Sequence, residues 1–140
     1  MSRFVLDASV ALSWCFEDES GRTELAILDT LKNRMEAVVP AVWPFEILAG
    51  GLSGERRGRI APTTFHRFLH ELVQLRIIVD QRGLDHTLDQ VNQIGRSYGL
   101  TSYDAAYLEL ALRMDLPLLT LDAKLVAAAR KAGLSTALPH

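Results

Sequence analysis

Four acidic residues interrupt apolar runs where a core would be expected to continue. Asp7 ends Phe4-Val5-Leu6 and is followed at once by more apolar chain, and Asp122 ends LLTLD. Glu46 lies in WPFEIL and Asp104 in TSYDAAYLELAL. A carboxylate left unpaired in such company carries a large desolvation cost. Helix capping is the plainest account of the aspartates: Asp7 and Asp122 precede helical patterns, and Thr101 with Asp104 matches the [ST]-x-x-[DE] capping box. For Glu46 the plain account is an early-turn glutamate facing solvent and favoured by the helix dipole. The conjunction suggests more. Four carboxylates in one crevice repel, each close pair by on the order of 4 kcal/mol at an effective dielectric of about 20, and a divalent cation removes that conflict. Oxygen donors with no histidine or cysteine among them select Mg²⁺ or Mn²⁺. A hard ion held by carboxylates in a cleft suits phosphodiester chemistry, because the ion acidifies a water, orients it for attack and stabilises the departing oxygen.

These acids need a scaffold that brings distant residues together, and the periodicity supplies one. Strands are expected at 3–6, 37–39, 77–79 and 118–121, with a last short one at 135–138. Helices are expected at 9–16, 22–34, from Pro44 to a break in the Gly50, Gly51, Gly54 region, and at 63–75, 85–98, 102–114 and 123–132. Short apolar strands alternating with helices imply an α/β fold, an α/β/α sandwich with a central parallel sheet in the Rossmann-like manner. In such sheets ligands sit beyond the carboxyl ends of the strands, where Asp7 and Asp122 fall.

The chain has 140 residues, 49% of them hydrophobic, which suits one domain spanning 1–140 with an ample core. No apolar run approaches the roughly 18 residues of a membrane span, and MSRFVLD has no signal-peptide pattern, so a cytoplasmic protein is expected. The lone Cys15, between Trp14 and Phe16, reads as a small buried hydrophobe rather than a reactive thiol. The formal charge is −2 and becomes +2 for the remaining surface once four acids are committed to metal, which leaves nucleic acid admissible as a partner.

The segments VLDASVALSWCFEDE, VPAVWPFEILAG, LTSYDAAYLELALR and LPLLTLDAKLVAAARKAG, in that order, resemble the successive motifs of PIN-domain ribonucleases, and more narrowly the VapC-type toxins of bacterial toxin–antitoxin pairs. The resemblance spans nearly the whole chain. It implies a metal site of Asp7, Glu46, Asp104 and Asp122, dependence on Mg²⁺ or Mn²⁺, cleavage of RNA, dimerisation, and inhibition by a cognate VapB-type antitoxin. Ser9, Ser102 and Thr120 fall where that family often has small hydroxyl side chains beside the site. Relatives often carry asparagine three residues after the motif glutamate, where this chain has Ala49.

Other signals are weaker. Arg56, Arg57 and Arg59 in GERRGRI form the densest basic patch and are candidates for contact with an RNA backbone, against the plain reading of a solvated loop. His66 and His70 share a helix face without the glutamate of H-E-x-x-H, so a plain helix face is expected. Asp80 reads as a loop acid, and Glu109, about 140° round the helix from Asp104, cannot share its face. Two rival functions are a haloacid-dehalogenase-like phosphatase or phosphotransferase with Asp7 as nucleophile, which usually has a second aspartate where Ser9 stands, and an inactive PIN-fold binding module.

Overall fold

The computed structural model describes residues 2–139, apart from the side chain of Glu17. Four strands, β1 (Arg3–Leu6), β2 (Glu36–Val39), β3 (Ile77–Val79) and β4 (Leu118–Leu119), form a parallel sheet in the order β3-β2-β1-β4. Helices cover both faces: α1 (Ala8–Ser13), α2 (Arg22–Asn33), α3 (Trp43–Arg56), α4 (Pro62–Leu72), α5 (Leu84–His86), α6 (Asn92–Tyr98), α7 (Ser102–Met114) and α8 (Ala123–Lys131). Phe4, Val5 and Leu6 are fully buried, as a central strand of a sheet covered on both sides requires.

Strand order reverses direction at β1. The chain moves from β1 to β2 and β3 on one side and returns to place β4 on the other, so the switch point lies between β1 and β4. Val5 pairs with Leu118 and Leu6 with Leu119, and the Asp7 N–H donates to the Leu119 carbonyl at 2.9 Å. That register makes Asp7 and Thr120 leave the sheet side by side. Helix α7 packs on β1 and β4, and α1 packs against α2 and α3.

Three expectations need correction. Helix α3 continues through Gly50, Gly51 and Gly54 instead of breaking there. A Cβ would lie 2.5 Å from Leu12 of α1 at Gly50, 1.9 Å from the Phe65 ring of α4 at Gly51, and 2.7 Å from Phe16 at Gly54, so these glycines are where α1, the segment after it and α4 press against α3. Glycine costs a helix interior up to about 1 kcal/mol relative to alanine, and the close packing offsets it. Residues 135–138 form no strand, although the Ser135 carbonyl accepts a hydrogen bond from Leu118 N–H at 3.0 Å. The expected helix over 85–98 contains a π-helical turn at Thr87–Val91 between α5 and α6, and it stops, as the glycine signals, at left-handed Gly99 (φ 63°).

Candidate active site

Asp7 is 7% exposed and begins the turn from β1 into α1. It occupies the N-cap position, yet its side chain makes no capping bond. Its Oδ2 instead accepts from the Ser9 hydroxyl at 2.7 Å and from the Thr120 hydroxyl at 2.6 Å, which spans the switch point and leaves Oδ1 without a hydrogen bond among the described residues. Thr120 Oγ1 also receives the Asp122 N–H at 3.0 Å, and Ser9 Oγ the Leu121 N–H at 3.1 Å, so two hydroxyls tie β1 to the β4–α8 turn. For Asp122 the capping account holds on one oxygen: Oδ1 accepts from the Lys124 N–H at 2.9 Å.

Glu46 stands in the first turn of α3, and its Oε1 accepts a 2.5 Å hydrogen bond from the Tyr107 hydroxyl. That hydroxyl accepts in turn from the Ala8 N–H at 3.3 Å, so Tyr107 links α7, α3 and the residue following Asp7. Sequence reasoning missed Tyr107 by counting it among the apolar residues of α7; a buried tyrosine needs a polar partner, and its position three residues after Asp104 is the signal that could have found it. Thr101 caps α7 by accepting the Asp104 N–H at 3.2 Å.

Electrostatics join the acids. Burial, followed by the negative charges of Asp7 and Asp104, raises the Glu46 carboxyl above its ordinary range, although the Tyr107 hydrogen bond opposes the shift. Burial, then Asp122 and Asp7, raises Asp104 against the smaller opposing effects of Thr101 and Lys124. Negative charge at the carboxyl edge of the sheet therefore couples Glu46 to Asp7 and Asp104, and Asp104 to Asp122 and Asp7. Among the described residues, no three acidic, histidine or cysteine side chains are arranged to hold a single ion directly. The donor set still fits Mg²⁺, which keeps several of its waters and is commonly bound through only one or two carboxylates.

A family model for the PIN domain matches residues 4–131. The chain belongs to the PIN-domain family. PIN domains are typically metal-dependent nucleases. The fold is also that of two solved structures, PAE2754 from Pyrobaculum aerophilum (TM-score 0.73, 22% identity, 98% of this chain and 88% of that one) and FitAcB from Neisseria gonorrhoeae (TM-score 0.59, 18% identity, 97% of each). No curated protein sequence matches.

The remaining candidates divide. In this PIN domain Ser9 and Thr120 contact Asp7, whereas Ser102 is exposed and bonds to none of the acids. Arg56 and Arg57 are exposed, and Arg57 borders a groove of about 450 Å³ shared with Ser9 and Asp122. Arg59, which also lines that groove's edge, pairs with Glu19 at 2.6 Å and Asp18 at 3.3 Å while stacking 4.5 Å from the centre of the Phe16 ring, so its charge is shared with its own fold. His66 and His70 are exposed on α4. Burial pushes the Cys15 thiol up to about 11, in keeping with an unreactive cysteine.

Asp80 lies in the loop after β3, as expected, and both it and Glu109 are ion-paired apart from the four acids. Arg113 binds Asp80 at 2.7 Å and Glu109 at 2.9 Å, and His86 Nε2 lies 3.0 Å from Glu109 Oε1. Nε2 is at ion-pair distance but lacks hydrogen-bond geometry, so Arg113 is the firm partner. Burial alone would raise Glu109, yet Arg113 and His86 outweigh it and hold the carboxyl below its usual range.

Proposed function

We propose that this PIN domain is a metal-dependent endoribonuclease and the toxin of a type II toxin–antitoxin pair. The observation that carries the reading is a partly buried acidic edge of the sheet, where burial and the charges of Asp7 and Asp104 raise Glu46, and burial and the charges of Asp122 and Asp7 raise Asp104 against a smaller opposing effect of Lys124. Asp7, with Ser9 and Thr120 holding one oxygen and the other without a hydrogen bond among the described residues, would be the fixed ligand of Mg²⁺ or Mn²⁺. Glu46, held by Tyr107, would be a further ligand, and Asp104 and Asp122 would complete the acidic set. Bound there, the ion would supply a nucleophile at neutral pH by acidifying water and would draw charge from the scissile phosphate. Arg57, which lines the groove, and the exposed Arg56 next to it in the chain would offer positive charge to the flanking RNA backbone.

Resemblance of the four motifs to VapC-type toxins supports the toxin role, a VapB-type antitoxin as partner and a cytoplasmic setting. No helix among the described residues is long and apolar enough to cross a membrane. The exposed apolar stripe of Phe45, Leu48 and Leu52 along α3 supports a homodimer. RNA incubated with Mn²⁺ should be cut, and a chelator, Asp7→Asn or Asp104→Asn should each stop the reaction. Cleavage surviving either substitution overturns the site assignment, and an active wild type excludes the inactive-module reading. Expression alone should arrest bacterial growth, with relief from a small upstream reading frame; unaffected growth with soluble active protein overturns the toxin role.

A further inference from the structure

Beside the acids lies a separate cleft of about 280 Å³, just below the roughly 300–1,000 Å³ typical of ligand sites. Its lining adjoins the site along the chain. Ser102 and Tyr103 immediately precede Asp104 on α7, and Pro40 to Val42 lead into the helix that carries Glu46. Val42, Val91 and Leu110 make apolar walls, and the paired Asp80, Glu109 and Arg113 make a polar floor. Tyr103 stands at the mouth, 59% exposed and without a hydrogen-bond partner among the described residues, so packing does not account for it.

We infer that this cleft receives one unstacked nucleobase next to the scissile phosphate, with Tyr103 as the stacking platform. The inference rests on the ribonuclease reading and deepens it. Apolar walls and an aromatic ring suit the faces of a base, and sequence-specific RNA recognition works on splayed, stacked bases. The floor carboxylates already accept from Arg113, but a carboxylate has about four lone-pair sites and can also accept from a base amino group. Glu109 stays ionised to do so, because Arg113 holds its carboxyl low. Arg82, half exposed and 3.6 Å from Asp80, supplies positive charge at the rim for an adjoining phosphate. A double helix keeps its bases stacked and paired and offers none to the cleft.

The test measures binding of a labelled short single-stranded RNA and of its duplex to the Asp7→Asn protein, alone and combined with Tyr103→Ala, Tyr103→Phe or Ala106→Trp; Ala106 lines the cleft and tryptophan there fills it. Cleavage is measured in parallel on proteins with native Asp7. Tyr103→Ala and Ala106→Trp should weaken single-strand binding by roughly tenfold or more and raise KM with kcat retained, while Tyr103→Phe keeps wild-type affinity because the stacking face survives. Melting temperature should be unchanged by Tyr103→Ala. If the wild type cuts RNA but Tyr103→Ala binds and cuts as well as it does, or prefers duplex, the cleft assignment falls and the nuclease reading stands. A loss of dimer on Tyr103→Ala makes this residue a subunit contact and also overturns the assignment. A wild type that neither cuts nor binds RNA removes the nuclease reading and the cleft assignment together.

Discussion

Helix α7 carries two acids in opposite circumstances. Asp104, in its first turn, is raised by burial and by the negative charges of Asp122 and Asp7. Glu109, 7% exposed and about 140° further round, is bracketed by Arg113 and His86 and is lowered. One cluster is neutralised inside the protein, and Arg113 joins β3's end to α7 through Asp80. The other keeps an excess of negative charge that Lys124 only partly offsets. Charge balanced by the chain itself is architecture, whereas charge left unbalanced at a sheet edge awaits something from outside.

Experiments on each cluster should separate along that line. Asp7→Asn should abolish RNA cleavage while leaving the melting temperature at or above that of the wild type, because it removes a charge from a repelling set; a large fall in stability would make Asp7 a structural residue. Arg113→Ala should cost about 3 kcal/mol in urea unfolding by leaving Glu109 and Asp80 unpaired, and a change below about 1 kcal/mol would show the pairs to be solvent-screened. Mg²⁺ or Mn²⁺ at a hundredfold excess over its Kd should stabilise the wild type by about 2.7 kcal/mol and leave Asp7→Asn unmoved. An equal shift in both would place the ion elsewhere.

The pH dependence has two limbs of opposite sign. Glu46 and Asp104 are raised in the folded state, so the stability they withhold at neutral pH returns as pH falls through their folded values and is complete below the ordinary carboxylate range. Glu109 is lowered, so its contribution is present above its ordinary value and disappears as pH falls through the folded one. Melting temperature should therefore rise on mild acidification and then drop, with Asp104→Asn flattening the rise and Glu109→Gln the drop. An unaltered rise in Asp104→Asn would refute the repulsion. Tyr107→Phe should have the smallest effect on stability, about 1 kcal/mol, together with reduced cleavage from a less restrained Glu46.

Much of this was legible along the chain. The strands at 3–6, 37–39 and 77–79 fall inside the observed ones; the first two runs are buried as a doubly covered sheet requires, whereas β3 is an edge strand whose Ile78 is exposed. Capping signals marked the starts of α7 and α8. The glycines of α3 misled: Gly51 read as a break, and only the Phe65 ring lying against it explains why a helix tolerates it there. Arg59 read as a free cation because Glu19 and Asp18, 40 and 41 residues away, gave no local sign of pairing with it.

By itself the sequence determined which residues are acidic within apolar frames, the alternation of strand and helix, and thereby the family. Local rules of periodicity, capping and desolvation act over a few residues and can be read there. Tertiary structure alone decided that Thr120 and Ser9 hold Asp7, that Tyr107 holds Glu46 across 61 residues, and that Glu109 is neutralised while Asp104 is not. Those outcomes depend on distances between segments remote in the chain, and Coulomb forces and hydrogen bonds answer to distance in space.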